Sequence, residues 1–255
     1  MIYQQKQYIQ FLLKSTNQHG VHSPFVYDLV TNCFYDRTKH LDYTHLKTYR
    51  NSLLKNHQTL QITDLGSGSK VASTNLRTIK SIAKHSGTTL KRAKLLYRLA
   101  SYFQFQQVLE LGTSLGIATH ALQLGNPTAT ITSIEGCPNI SNTAKLHLEN
   151  TQNLNLLVGD FDLHIDTLEQ ESFDLVFFDG NHNKEATLTY FDKLLPKTHN
   201  NTLFIFDDIY WSKGMTEAWE TIKKHPKVSV TIDTFFWGFV FFRKEQVKED
   251  FVIRL

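Results

Sequence analysis

Val108–Gly116, VLELGTSLG, and the ATITSIE stretch that closes on Glu135 decide how this chain is read. A short apolar strand runs into a glycine-rich turn, a helix follows, and a second strand ends in an acid. Gly112 and Gly116 let the backbone approach a ligand closely. An acid at the tip of the next strand can accept hydrogen bonds from both hydroxyls of a ribose. Glycine-rich turns alone are common. Turn, spacing and acid together predict a nucleoside-binding α/β domain.

Outward from the turn, strands and helices alternate. LKRAKLLYRLASYF places Leu95, Leu96, Leu99 and Phe103 at helical spacing, with Thr88 or Thr89 as a cap. VLEL, ATITSIE, NLLVG, DLVFFD and TLFIFDD read as buried strands. IATHALQL, NISNTAKLHLENT and stretches around 184–195 and 214–225 read as the helices between them. Such alternation calls for a parallel sheet with right-handed crossovers. KVSVTID and WGFVFFR are joined by only a few residues, which predicts a terminal antiparallel hairpin.

Ahead of the turn the pattern is mostly helical. Residues 3–14 form an amphipathic segment offering Tyr8, Phe11 and Leu12; HGVHSPFVYDLV restarts a helix with Pro24 in the first turn after Ser23; residues 42–58 predict a third helix. Asp64–Gly68, in LQITDLGSGS, imitates a cofactor turn. No strand with an acidic tip follows it, since Leu76–Arg98 is basic and helix-like, so it is read as a loop. The expected organisation is an extension at 1–87, serving as a substrate lid or homodimer contact, and a domain at 88–255.

The chain has 255 residues, 41% hydrophobic and 20% charged, which suits a soluble protein with a sizeable core. Cys33 and Cys137 suggest no disulfide framework, no 18-residue apolar run predicts a membrane span, and MIYQQKQYIQFLLK is too polar for a signal peptide. A reduced, cytoplasmic protein is expected. The net charge of +3 hides an asymmetry: residues 1–107 hold 15 Lys+Arg and 4 Asp+Glu, residues 108–255 hold 12 and 20. The basic leading part reads either as an arm for anionic substrate or nucleic acid, or as complementary packing and solubility.

Two strand ends carry acids: Asp179 in FFDGNH and Asp207-Asp208 in FIFDDIYW. Ligand sites in open α/β sheets lie beyond such ends. Converging carboxylates repel unless a cation compensates, and a hard ion such as Mg²⁺ prefers oxygen ligands. Such an ion can lower the pKa of a substrate hydroxyl and orient it.

The motif E-x-G-x-x-x-G (Glu110, Gly112, Gly116) departs from G-x-G-x-x-G, and no G-x-x-x-x-G-K-[ST] accompanies it. From about Leu90 to the C-terminus it resembles the class I S-adenosylmethionine (SAM)-dependent methyltransferases. The resemblance implies a Rossmann-like sheet ending in a hairpin, here with an N-terminal helical extension. It also implies that Glu110, Gly112, Thr113, Ser114 and Gly116 line the methionine part of SAM and that Glu135 holds the ribose. Asp160, in LLVGD, would lie beside the adenine or cap the strand end, and Asp179 borders the cofactor as well.

FFDGNH and FIFDD are similar to the metal-dependent O-methyltransferases of catechol and antibiotic-sugar type. Carried over, the Mg²⁺ ligands are Asp179, Asp207 and Asp208; the alternative is that these acids bind a substrate amine or cap a helix. In those families a Lys or Asp two or three residues after the first ligand takes the proton. Asn181 and His182 stand there instead, so His182 and Lys184 are the candidate bases, with a loop contact as the other reading of His182. His19 and His22 serve a lid or merely pack. Among Tyr210, Trp211, Phe235, Phe236 and Trp237, Trp211 is the candidate substrate wall. DDIYWSKGM and the HGVHSPF start resemble bacterial SAM-dependent methyltransferases along nearly the whole chain, without a substrate attached.

The expected function is SAM-dependent, Mg²⁺-assisted O-methylation of a small-molecule hydroxyl, a diol or catechol. Alternatives are a methyltransferase acting on RNA or protein, or a SAM-binding protein without catalysis. Neither an Asn-Pro-Pro-Tyr motif nor a catalytic cysteine is present, and Cys137 sits at a cofactor position unsuited to a nucleophile.

Overall fold

Helix starts follow the capping chemistry written in the sequence. In the computed structural model, which describes residues 2–63, 75–149 and 151–255, α1 spans Ile2–Lys14 and α2 spans Pro24–Leu29. Ser23 caps α2 by accepting from the Val26 N–H, and Pro24 fills the first turn, where no amide donor is needed. The helix then widens into a π turn over Val30–Phe34. Two compact units result: Met1–Tyr35 with Ile165–Leu255, and Asp36–His164.

The Asp36–His164 unit begins with α3 (Tyr43–Lys55), β1 (Thr59–Gln61), β2 (Leu76–Thr78), α4 (Ile79–His85) and α5 (Leu90–Phe103). The expectation of a plain loop after residue 58 is corrected in part: β1 pairs antiparallel with β2, Thr59 opposite Thr78. Asp64–Gly68 lie outside the described residues. The stretch 76–98 is not one helix, because Thr78 and Thr89 each cap a new one through the N–H groups of Ser81 and Arg92.

Next come β3 (Gln107–Leu111), α6 (Ile117–Gly125), β4 (Thr130–Glu135), α7 (Pro138–Leu148), β5 (Leu154–Val158) and α8 (Phe161–Asp166). β3, β4 and β5 are parallel, with Val108 opposite Ile131 and Ile131 opposite Leu154. Val108, Leu109, Leu111, Ile131 and Ile134 are all buried, as strands covered on both faces require.

In the other unit, β6 (Phe173–Phe178), α9 (Lys184–Leu194) and β7 (Thr198–Asp207) form a parallel crossover. After α10 (Lys213–Lys224), β8 (Val230–Asp233) and β9 (Trp237–Phe241) make the expected antiparallel hairpin, with β9 against β7. A further strand, β10 (Glu249–Val252), adds itself parallel to β8 and was not expected. Thr16 bridges to Ile253, and Arg254 donates to the Leu12 carbonyl at 3.1 Å, so the N-terminal segment is tied to this edge. The core is aromatic, with Phe177, Phe204, Phe206, Trp219, Trp237 and Phe239 fully covered. Gly238 interrupts β9 because a Cβ there would lie 2.6 Å from the Trp219 ring. Among the described residues, no helix is long and apolar enough to cross a membrane.

Candidate functional site

The glycine turn after β3 is built from left-handed backbone: Gly112 at φ 110, Ser114 at φ 48 and Gly116 at φ 74. Gly116 has a second reason beyond its φ. A Cβ there would meet Leu148 Cδ1 at 2.8 Å and Ala144 Cβ at 3.3 Å, so its smallness admits α7. The close approach visible at this glycine is to the neighbouring helix.

Glu135, at the end of β4, is held on both oxygens. Ser114 N–H donates to Oε2 at 2.8 Å and Cys137 N–H donates to Oε1 at 2.9 Å. The turn itself hangs on β4, with the N–H groups of Gly112 and Thr113 both donating to the Ile134 carbonyl. Acid and turn are therefore one hydrogen-bonded assembly.

Glu110 sits in β3 opposite Ser133 of β4 and is fully buried. Its Oε2 accepts from Ser133 Oγ and Thr119 Oγ1, both at 2.5 Å. Its Oε1 is buried with no hydrogen-bond partner among the described residues. Burial pushes its pKa up to about 7, against the lowering pull of the two hydroxyls, and the Glu135 charge adds to the rise. Thr113 Oγ1 joins the same network through Ser133 Oγ at 2.5 Å.

Asp160 follows Gly159, itself at φ 143. Its Oδ1 accepts from the N–H groups of Asp162 and Leu163, at 2.8 and 3.3 Å, and so caps the start of α8. Tyr49 of α3 was not found from the sequence. Its hydroxyl donates to the Leu115 carbonyl inside the glycine turn at 2.5 Å, and its ring stacks on His147 at 3.2 Å. Sixty-six residues separate Tyr49 from Leu115, and no local pattern signals the contact. Cys137 is buried.

The acidic strand ends belong to the other unit. β6 and β7 pair in register, Phe178 opposite Phe206, so the next residues of each strand, Asp179 and Asp207, come out side by side. His182 joins them: one ligand atom from each of Asp179, His182 and Asp207 lies within 4.8 Å of the others. The resemblance implied Asp208 as the third ligand; the converging group consists of Asp179, Asp207 and His182. Asn181 (φ 51) and Asp208 (φ 53) both take left-handed conformations, which turn the chain sharply on either side. Asn181 is further fixed by its amide donating to Tyr190 Oη at 3.0 Å.

Lys184 points to a different task from the one expected of a base. Its ammonium donates to Glu217 Oε2 at 2.7 Å, linking α9 to α10, and that hydrogen bond raises its pKa. Trp237 is core and Phe235 is nearly so, whereas Phe236 is half exposed and Trp211 is partly exposed. Tyr210 donates to Asp233 Oδ2 at 2.5 Å, and its ring stacks on Phe235. His19 and His22 are exposed and are not part of the converging group.

Residues 109–209 match the family model of a methyltransferase domain. Solved structures share the fold. TomG, an O-methyltransferase from Streptomyces achromogenes in complex with SAM, is 22% identical at TM-score 0.52, covering 61% of this chain and 80% of its own. A Podospora anserina methyltransferase bound to S-adenosylhomocysteine (SAH) is 12% identical at TM-score 0.61, covering 88% and 97%. An O-methyltransferase from Bacillus cereus in complex with SAH is 17% identical at TM-score 0.53, covering 82% and 93%. A comparison with curated proteins gives no significant match. The fold is the Rossmann-like class I methyltransferase fold, as expected.

Proposed function

We propose that the methyltransferase domain of this protein uses SAM to methylate a hydroxyl of a small molecule, a diol or catechol, with the help of a divalent cation. The convergence of Asp179, His182 and Asp207 carries the reading. Two carboxylates suit Mg²⁺ or Mn²⁺, and an imidazole beside them suits either ligation or proton transfer. In this proposal Asp179 and Asp207 hold the ion and His182 takes the hydroxyl proton. When bound, the ion would lower the pKa of the acceptor hydroxyl and polarise its oxygen.

On the cofactor side, Glu135 is the ribose acceptor. Two backbone N–H groups orient it. The buried, unpartnered Oε1 of Glu110 is an acceptor that a ligand's donor, such as the ammonium of SAM, would satisfy. Asp160 has one oxygen committed to α8, which leaves the other for an adenine amine. The similar proteins from Streptomyces achromogenes and Bacillus cereus are O-methyltransferases in complex with SAM and SAH, which supports both the donor and oxygen as acceptor.

The test is calorimetric titration of Mg²⁺, then Mn²⁺, into the full chain saturated with SAH, beside Asp207→Ala. One site in the wild type that disappears in the variant is expected. A wild type that binds neither ion removes the metal from the mechanism, and SAH that does not bind removes the cofactor reading with it.

A further inference from the structure

The basic excess of the leading part of the chain takes a concrete shape within the Asp36–His164 unit. The segment 36–42, α3 and α5 line an open cleft of about 460 Å³, within the rough 300–1,000 Å³ range of small-ligand pockets. Five permanent cations line it: Arg37 and Lys39 from the segment, Lys47 from α3, and Lys94 and Arg98 from α5. The single lining carboxylate, Asp36, is already engaged. It accepts from the Thr38 N–H at 2.8 Å and faces His40 Nε2 at 3.3 Å. Asp42, on the same segment, accepts from the Tyr97 hydroxyl at 2.9 Å.

The cleft is shaped as well as charged. Lys94 Nζ lies 4.7 Å from the centre of the Tyr43 ring, and Arg98 Nη1 donates to Tyr43 Oη at 3.4 Å, so the two half-buried cations are held against one aromatic wall. Lys94 and Arg98 are four apart on α5, a like-charge spacing that opposes helix formation. Arg37, Lys39 and Lys47 are exposed and make no ion pair among the described residues. Repulsion among Arg37, Lys39 and Lys47 on a concave surface is relieved by an anion, and guanidinium and ammonium groups together are the donors that phosphate oxygens select.

We propose that this cleft binds the phosphate group of a small molecule, as a ligand site separate from the glycine turn. It commits the basic residues of α3 and α5 to recognition of one compact dianion. A nucleic-acid backbone is the rival occupant, but cations converging on one short cleft from three elements favour a compact ligand over an extended strand.

The probes are inorganic pyrophosphate and AMP, titrated calorimetrically into the full chain at 150 mM NaCl. Saturating SAH is present so that AMP is not read at the cofactor turn. Arg37→Gln/Lys47→Gln, changed only at exposed side chains, is the comparison, with its thermal midpoint as the check on folding. Saturable one-site binding that weakens tenfold or more in a folded variant is the expected result. Preference for AMP would mark an organic phosphate as the ligand and preference for pyrophosphate an inorganic one, and each supports the site. Absence of saturable binding by both probes, or equal binding in the variant, overturns it. Tight, steeply salt-dependent binding of a short RNA with neither probe bound overturns it in favour of a nucleic-acid surface.

Discussion

Ser114 N–H donates to Glu135 Oε2 at 2.8 Å, so the glycine turn and the acid at the tip of the next strand are already joined before any ligand arrives. Position 114 reaches this geometry at φ 48, in left-handed backbone. The contact recovers part of the cost of that conformation and aims the carboxylate. As the proposed ribose acceptor, an acid so oriented would bind with less loss of side-chain freedom.

Glu135→Gln keeps the size of the side chain and removes the charge. Hydrogen bonds to a charged group are worth about 1.5–3 kcal/mol, so SAH affinity should fall by roughly 10- to 100-fold. Calorimetry with SAH reads the change, and an unaltered affinity would remove Glu135 from the cofactor site.

Glu110 makes a pH-dependent contribution to stability. Its folded pKa is raised from 4.5 to about 7, so the native state holds a proton that the unfolded state releases. The associated stability is complete below about pH 4.5 and is lost as pH rises through 7. At about 1.4 kcal/mol per pKa unit, the contribution is on the order of 3 kcal/mol. In urea denaturation at pH 5 and pH 8, Glu110→Gln should lose less stability between the two than the wild type does. Parallel curves for the two proteins would contradict this.

His182→Gln separates the two uses of an imidazole beside two carboxylates. Loss of a general base costs about 10²- to 10⁴-fold in rate. The expected variant binds Mn²⁺ as the wild type does, by paramagnetic resonance, and turns over slowly. Loss of the metal together with the rate would make His182 a ligand.

Lys184→Met removes the ion pair with Glu217 on an exposed surface. Turnover of an accepted substrate is expected to stay within about threefold, since exposed pairs of this kind contribute little. A drop on the scale of a lost general base would restore Lys184 to the chemistry.

Tyr49→Phe deletes a hydroxyl whose partner, the Leu115 carbonyl, stays buried in the turn. About 1 kcal/mol or somewhat more of stability should be lost, with weaker SAH binding through a looser turn. Thermal denaturation and SAH titration measure the two effects, and an unchanged SAH affinity would confine Tyr49 to a structural role.

Much of this was legible in the residues. Ser23 and Thr89 cap helices through N–H groups three residues on, a rule that a short window of sequence states, whereas the cap at Thr78 was not read. The buried strands and the β8–β9 hairpin were readable for the same reason. β10 was not, because EDFV is a short segment whose partner, β8, is separated from it in the chain by the whole of β9. Asp179 and Asp207 were legible as strand-end acids; that they emerge side by side is a matter of register.

The sequence by itself determined the α/β alternation, the glycine turn with its acid, and the acids at two strand ends. Each of these is encoded in periodicity or spacing over a few residues. Tertiary structure alone decided that Tyr49 reaches Leu115, that Glu110 is sealed from water, that Lys184 pairs with Glu217, and that His182 stands beside Asp179 and Asp207. Partners and burial come from elements distant in the chain, and these set whether a side chain is charged, oriented or free to react.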